Sequence, residues 1–219
     1  MIVEVLYNEL MLHGDDANAE YLKLNLPSAT FIYTSIDDEP YFVNNKVNMI
    51  IMGSMTESNL SLVKNKLISY KERISYLINN NVYFFALGNS MEIFGKNIGN
   101  EEMLNIFDYY SIRNIDKRVH ELFICKYHDY KVVGFISTFD KVYNISKVLF
   151  NSKDQSFNYN NFYGIKVLGP FLLLNPLFTK EILNKLDKNF NKLVYEEEIM
   201  NAYKVRKEEY EMLLERDAK

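Results

Sequence analysis

Cysteine is almost absent. Cys125 is the one thiol in 219 residues, which excludes an internal disulfide framework and fits a reducing compartment. Tryptophan is missing and histidine occurs three times. Cys125 and His128 form a Cys-x-x-His pair, but two further ligands are lacking, so no metal and no cofactor is expected. No apolar run approaches the length of a membrane span, and the opening Met1-Ile2-Val3-Glu4-Val5 carries an acid where a secretory leader would carry positive charge. The chain is therefore expected in the cytoplasm and away from membranes. No basic run stands out and the net charge is −4, which argues against a nucleic-acid partner held through phosphate contacts.

Hydrophobic residues make up 48% and aromatics 15% of the chain, with 17 Tyr and 15 Phe, enough for a packed core. The length suits one α/β domain. We place that domain at residues 1–195 and read 196–219 as a C-terminal helix packed on it or on a partner. Ile199, Met200, Tyr203, Tyr210, Leu213 and Leu214 are too many large apolar groups for a solvated tail. Pairs such as Lys204 with Glu208 supply only about 0.2–0.5 kcal/mol each, so packing must retain the segment.

One stretch organises the rest. Val82-Tyr83-Phe84-Phe85-Ala86-Leu87 suits a strand covered on both faces, Gly88 follows at once, and helical spacing begins with Met91 and Phe94. Strand, sharp turn and helix are the setting of a nucleophile elbow, but glycine has no side chain that could attack anything. Gly88 serves as the turn residue itself. Ser90 and Glu92 in the first helical turn read as a cap and a dipole-compensating acid.

Earlier in the chain, Ile2 to Leu6, Ala29 to Thr34 and Val47 to Met52 read as strands, with a short helix carrying Tyr21, Leu22 and Leu24 that Asp15 or Asp16 can cap. Thr56 can cap one long helix through Leu60, Val63, Leu67, Tyr70, Ile74 and Leu77. Alternating strands and helices imply a parallel, doubly wound sheet whose crevice lies at the carboxyl ends of its strands. The loops at Gly53 and Gly88 should line it. Beyond Gly95, residues 108–112, 121–127 and 131–137 read as an antiparallel extension, and 151–162 as a surface loop. A strand ending at Gly169-Pro170, a helix from Leu177 to Leu186 and a charged helix from about Glu196 to Arg216 close the chain.

Over most of residues 5–187 the spacing of several motifs resembles the class I glutamine amidotransferases, in their cobyric-acid-synthase-like branch. That branch includes the glutaminase subunit of lipid II isoglutaminyl synthase. Its Leu-Tyr-Gly-Asp-x-Gly-Asn stretch is similar to Leu12-His13-Gly14-Asp15-Asp16-Ala17-Asn18, and its glycine-rich turn after the third strand to Gly53-Ser54-Met55-Thr56. Its Ile-Cys-Gly-Gly-Tyr-Gln-Leu-Leu-Gly elbow lies over Leu87-Gly88-Asn89-Ser90-Met91-Glu92-Ile93-Phe94-Gly95, and its Gly-Phe-Glu-Asn-His stretch over Gly134-Phe135-Ile136-Ser137-Thr138. The most specific match sets Leu-His-Gly-Pro-Leu-Leu-x-x-Asn-Pro over Val167 to Pro176, where Gly169-Pro170 is followed by Asn175-Pro176. The resemblance implies a flavodoxin-like α/β open sheet, mostly parallel with an antiparallel extension.

It also puts Gly88 where the family has its catalytic cysteine and Leu168 where it has its histidine. Hydrolysis of glutamine there needs a thiolate and an imidazole, which these residues cannot supply. The expectation is a bacterial-type pseudo-glutaminase, a binding or scaffold subunit for a synthetase or ligase partner or for a second copy of itself. The alternative is a repurposed crevice that handles another small substrate. Its candidate residues are His13, Asp15, Asn18, Gly53, Ser54, Gly88, Asn89, Glu92, Thr138 and Gly169. No other residue is expected to take over catalysis. Cys125 sits on a strand face with Phe123 and Tyr127 as a small core group, His13 reads as a ligand contact or a surface histidine, and Asp15 with Asp16 as a cap and a solvated acid.

Overall fold

The computed structural model describes residues 1–150 and 155–217. Its elements begin β1 (Ile2–Leu6), α1 (Asp16–Asn25), β2 (Thr30–Thr34), β3 (Met49–Met52), α2 (Glu57–Leu67), α3 (Lys71–Asn79) and β4 (Tyr83–Leu87). Short strands follow as β5 (Asn97–Ile98), β6 (Glu101–Glu102), β7 (Tyr110–Arg113), β8 (Val119–Tyr127), β9 (Tyr130–Thr138) and β10 (Asp140–Tyr143). The chain continues through β11 (Phe157–Tyr159), β12 (Phe162–Ile165), α4 (Phe171–Leu174), α5 (Pro176–Leu186) and α6 (Glu196–Asp217).

The main sheet has the order β11-β12-β4-β3-β1-β2. All pairs from β12 to β2 are parallel, and β11 is added antiparallel to β12. Numbered along the chain, the parallel strands follow the 2-1-3-4-5 order of a flavodoxin-like sheet, with its switch point between β1 and β3. The expected antiparallel additions are present: β8 with β9 forms a long hairpin, and β10, β7, β5 and β6 form a small second sheet that is antiparallel except where β5 runs parallel to β7.

Side chains alternate between two apolar layers. Val3, Val5, Met49, Ile51, Phe85, Leu87 and Ile165 meet α1, α4, α5 and the β8–β9 hairpin, while Ile50, Met52, Phe84, Ala86 and Phe162 meet α2 and α3. Burial on both faces explains why these strands read as continuous apolar runs. Glu4 is the exception. It is fully buried in β1, and its carboxylate accepts from Thr34 Oγ1 at 2.7 Å and from the backbone N–H groups of Tyr41 at 2.6 Å and Phe42 at 2.8 Å. The acid thus ties the segment after β2 to the central strand.

Three expectations need correction. The long helix after Thr56 breaks into α2, a 3₁₀ turn at Ile68–Tyr70 and α3, because Tyr70 packs edge-on against Phe42 and Arg73 donates to the carbonyls of Phe42 and Asn45. Tertiary contacts there override an unbroken apolar spacing. The segment after Gly88 is a 3₁₀ helix, Gly88–Phe94, with all residues but Asn89 buried. It stops at Gly95, where a Cβ would meet Tyr109 carbons at 2.7 Å. Residues 155–162 are no surface loop: Phe157 and Phe162 stand in an aromatic cluster with Phe107, at ring distances of 4.7 and 4.8 Å. A strand of 3 residues leaves little periodicity to read. The remaining part of that expectation, 151–154, lies outside the described residues.

Helix α6 touches α4, α5 and both hairpin strands. Tyr203 donates to Lys131 O at 2.5 Å, and ion pairs join Lys131 to Glu211 and Lys180 to Glu196. Among the described residues no helix is long and apolar enough to cross a membrane.

Candidate functional site

The loops that follow β1, β3, β4 and β12 all leave the carboxyl edge of the sheet, and two buried side chains join three of them. Asp15 Oδ2 accepts from Ser54 N at 2.6 Å and Oδ1 from Gly169 N at 2.7 Å. Asn18 donates to Asp15 O and Gly169 O at 2.9 and 3.0 Å and accepts from Leu172 N at 2.7 Å. Asp15 thus stands at the N-cap position of α1 without its side chain making a cap bond, and its neighbour Asp16 is exposed. Burial pushes the Asp15 carboxyl up from 3.8 to about 6, against the pull of its hydrogen bonds from Ser54 and Gly169.

A carboxyl whose folded pKa is raised stabilises the fold below the unfolded value and loses that contribution as pH rises through the folded one. Asp15→Asn does not titrate and leaves one backbone N–H facing an amide NH₂, so it should cost about 1–3 kcal/mol. That cost should be larger at pH 4 than at pH 7. Urea midpoints of both proteins at the two pH values measure it.

Gly88 has φ +59°, so the turn does take the left-handed conformation that suits glycine. A Cβ added there would lie 2.5 Å from Ser54 Cβ and 2.7 Å from Leu168 Cδ2. Ser54 and Leu168 thus fill the direction in which an elbow side chain would project. Asn89 grips the facing loop in both senses, donating to Met55 O at 2.7 Å and accepting from Met55 N at 3.0 Å. Ser90 is buried and donates to Leu87 O and Met52 O, so it tethers β4 to β3 instead of capping.

A cavity of about 160 Å³ opens above this turn, lined by residues that include His13, Ser54, Thr56, Glu57, Asn89, Arg118, Thr138, Lys166 and Leu168. His13 Nδ1 lies 3.1 Å from Ser54 Oγ. His13 is exposed as a residue, but partial burial of its ring, followed by the Arg118 guanidinium, holds the imidazole below its ordinary pKa, and Glu57 opposes them. Lys166 forms a buried ion pair with Glu92. Burial raises the Glu92 carboxyl, Lys166 pulls it down and Asp140 adds to the rise. Asp140 in turn takes a two-point contact from Arg113, at 2.8 and 3.3 Å. Glu92 is therefore part of a buried charge network and not an acid that compensates a helix dipole.

Of the residues expected at the crevice, the cavity brings together His13, Ser54, Asn89 and Thr138. Asp15, Asn18, Gly53, Gly88, Glu92 and Gly169 are not on its wall. The first two and Glu92 are committed to bonds within the protein, and a Cβ at Gly53 would strike Asp15 Cβ and the Met11 side chain at 2.8 Å. Arg118, Lys166 and Glu57 escaped sequence reasoning. Lys166 offered one signal, a lone charge between apolar residues just before Gly169-Pro170. Cys125 is buried in the core beside Phe123, and His128 is exposed with Nδ1 3.3 Å from Glu181. Among the described residues no group of three or more His, Cys, Asp or Glu could hold a metal ion.

No protein-family model and no curated protein matches this chain. Among solved structures, the chain is similar to the crystal structure of a glutamine amidotransferase from Thermotoga maritima, with a TM-score of 0.53 and 12% identity. The superposition covers 99% of this chain and 97% of the other. At that identity the likeness is one of fold.

Proposed function

We propose that this glutamine-amidotransferase-like fold has no glutaminase mechanism and works as a binding or scaffold subunit. Its partner on this reading is a synthetase or ligase, of the Mur-ligase-like kind that the sequence resemblance implies. One observation carries the reading. At the elbow stands a glycine whose missing side chain would collide with Ser54 and Leu168, so the position holds neither a nucleophile nor the space for one. A leucine supplies no proton transfer, and amide hydrolysis needs a nucleophile and a group that protonates the leaving ammonia.

The purified chain should release no ammonia from glutamine, and Gly88→Cys alone should not change that. Coupled ammonia assays check both. Glutaminase activity that Cys125→Ser abolishes would overturn the proposal. Copurification of a synthetase in a native pull-down, read by mass spectrometry, tests the partner.

A further inference from the structure

We infer that Ser54 is a nucleophile activated by His13, and that the crevice transfers a short acyl group through a Ser54 ester. This goes beyond the loss of glutaminase chemistry, since it concerns a hydroxyl and an imidazole at positions other than the elbow. Ser54 Oγ and His13 Nδ1 are 3.1 Å apart, within reach for direct proton transfer, and both residues line the same cavity. The hydroxyl also faces Leu12 O, more distant at 3.4 Å, and the buried Asp15 carboxyl, so His13 Nδ1 is the acceptor on its cavity side. Ser54 is held rigidly: its N–H is bound to the buried Asp15 carboxylate, and its Cβ abuts the elbow glycine. An imidazole kept below its ordinary pKa is neutral near pH 7 and free to accept a proton.

The surroundings suit the chemistry. Leu168 and Met55 make part of the wall apolar, and Thr56 and Glu57 bring the N-terminus of α2, 11 residues long, to the same space. The positive end of a helix dipole stabilises an oxyanion that forms beside it. A volume of about 160 Å³ limits the acyl group to a few carbons.

The step balances without an oxidant or reductant. Ser54 Oγ bonds to the carbonyl carbon of a small ester while its proton passes to His13 Nδ1. The carbon–oxygen bond to the alcohol then breaks, and the alcohol leaves with that proton. Water attacks the Ser54 ester, gives a proton to His13 and releases the acid, and the proton returns to Ser54 Oγ. One ester and one water give one acid and one alcohol.

The full chain should be treated with a small alkyl fluorophosphonate and digested for peptide mass mapping. We expect one phosphonyl adduct, on Ser54, with loss of fluoride. Ser54→Ala should abolish it, and His13→Gln should slow labelling by about a hundred-fold or more, since a positioned base contributes on the order of 10²–10⁴. Wild-type labelling should fall as His13 protonates. Asp15, raised to about 6 and bonded to Ser54 N, titrates nearby, and Arg118 and Glu57 face the imidazole. The same pH series on His13→Gln, where only the Asp15 inflection should remain, therefore separates the base from a structural contact. Wild type that stays unlabelled while a serine hydrolase in the same tube reacts would overturn the inference, as would an adduct on another residue or an undiminished rate in His13→Gln. If Ser54→Ala does not fold, the wild-type peptide map still decides. Ammonia release from glutamine would sink the proposed function and leave this inference standing.

Discussion

Gly88→Val should lose roughly 2–5 kcal/mol of stability, from about 1–2 kcal/mol for a side chain in the left-handed region and about 1–3 kcal/mol for overpacking. Both contributions rest on geometry. The backbone at Gly88 has φ +59°, and the first added carbon would lie 2.5 Å from Ser54 Cβ and 2.7 Å from Leu168 Cδ2. A valine adds two methyl groups beyond that carbon. Relief requires Ser54 to move, and Ser54 is bonded through its N–H to Asp15, which also holds Gly169. Strain at one residue therefore spreads to the loops after β1, β3 and β12. Urea denaturation followed by far-UV circular dichroism measures the loss. An unchanged midpoint would mean that the elbow is in ordinary backbone geometry.

Lys166→Met should cost about 3–5 kcal/mol at pH 7, because it leaves the buried Glu92 carboxylate without its direct partner, and the more distant Arg113 is already engaged by Asp140. Glu92 is 1% exposed and Lys166 3%, so water does not replace the lost partner. The deficit should depend on pH. Burial raises the folded pKa of Glu92, so its protonated form favours the fold, and that contribution vanishes as pH rises through the folded value. The variant should regain stability as pH falls from neutrality into the acid range. Glu92→Leu combined with Lys166→Met should recover most of the loss, since a buried ion pair replaced by apolar groups is often close to neutral. Urea midpoints of both single variants and the double variant form the test, and strictly additive losses would show that the two residues do not act as a pair.

What could be read from the sequence was local. Thr56 caps α2 as its position implied, accepting from Asn59 N at 3.3 Å, and the continuous apolar runs of β3 and β4 gave away a sheet buried on both faces. The left-handed turn at Gly88 followed from a glycine between a buried strand and a helical spacing. The candidate site was less legible, because its members meet only through the fold. Lys166 and Glu92 are separated by 74 positions and His13 and Ser54 by 41, and no periodic signal links such pairs. Asp15 reads as a cap because acids often precede helices. Its side chain bonds instead to two loops that approach from elsewhere in the chain. The 3₁₀ form of Gly88–Phe94 was equally hidden, since its apolar spacing does not tell a tight helix from an α-helix.

The bond from Gly169 to Asp15 joins residues 154 positions apart, and that from Leu172 to Asn18 spans the same separation. Contacts that close so long a loop carry a large entropic cost until the intervening chain is ordered, which slows their formation. In the folded chain β12 lies beside β4, which brings Gly169 to the end of β1. The rim of the crevice is therefore expected to close late in folding, after the sheet that supports it, and pulse-labelled hydrogen exchange during refolding checks that order. In the folded protein the amide hydrogens of Ser54, Gly169 and Leu172 then act as reporters of that closure: all three exchange with solvent only when the Asp15 and Asn18 clasp opens.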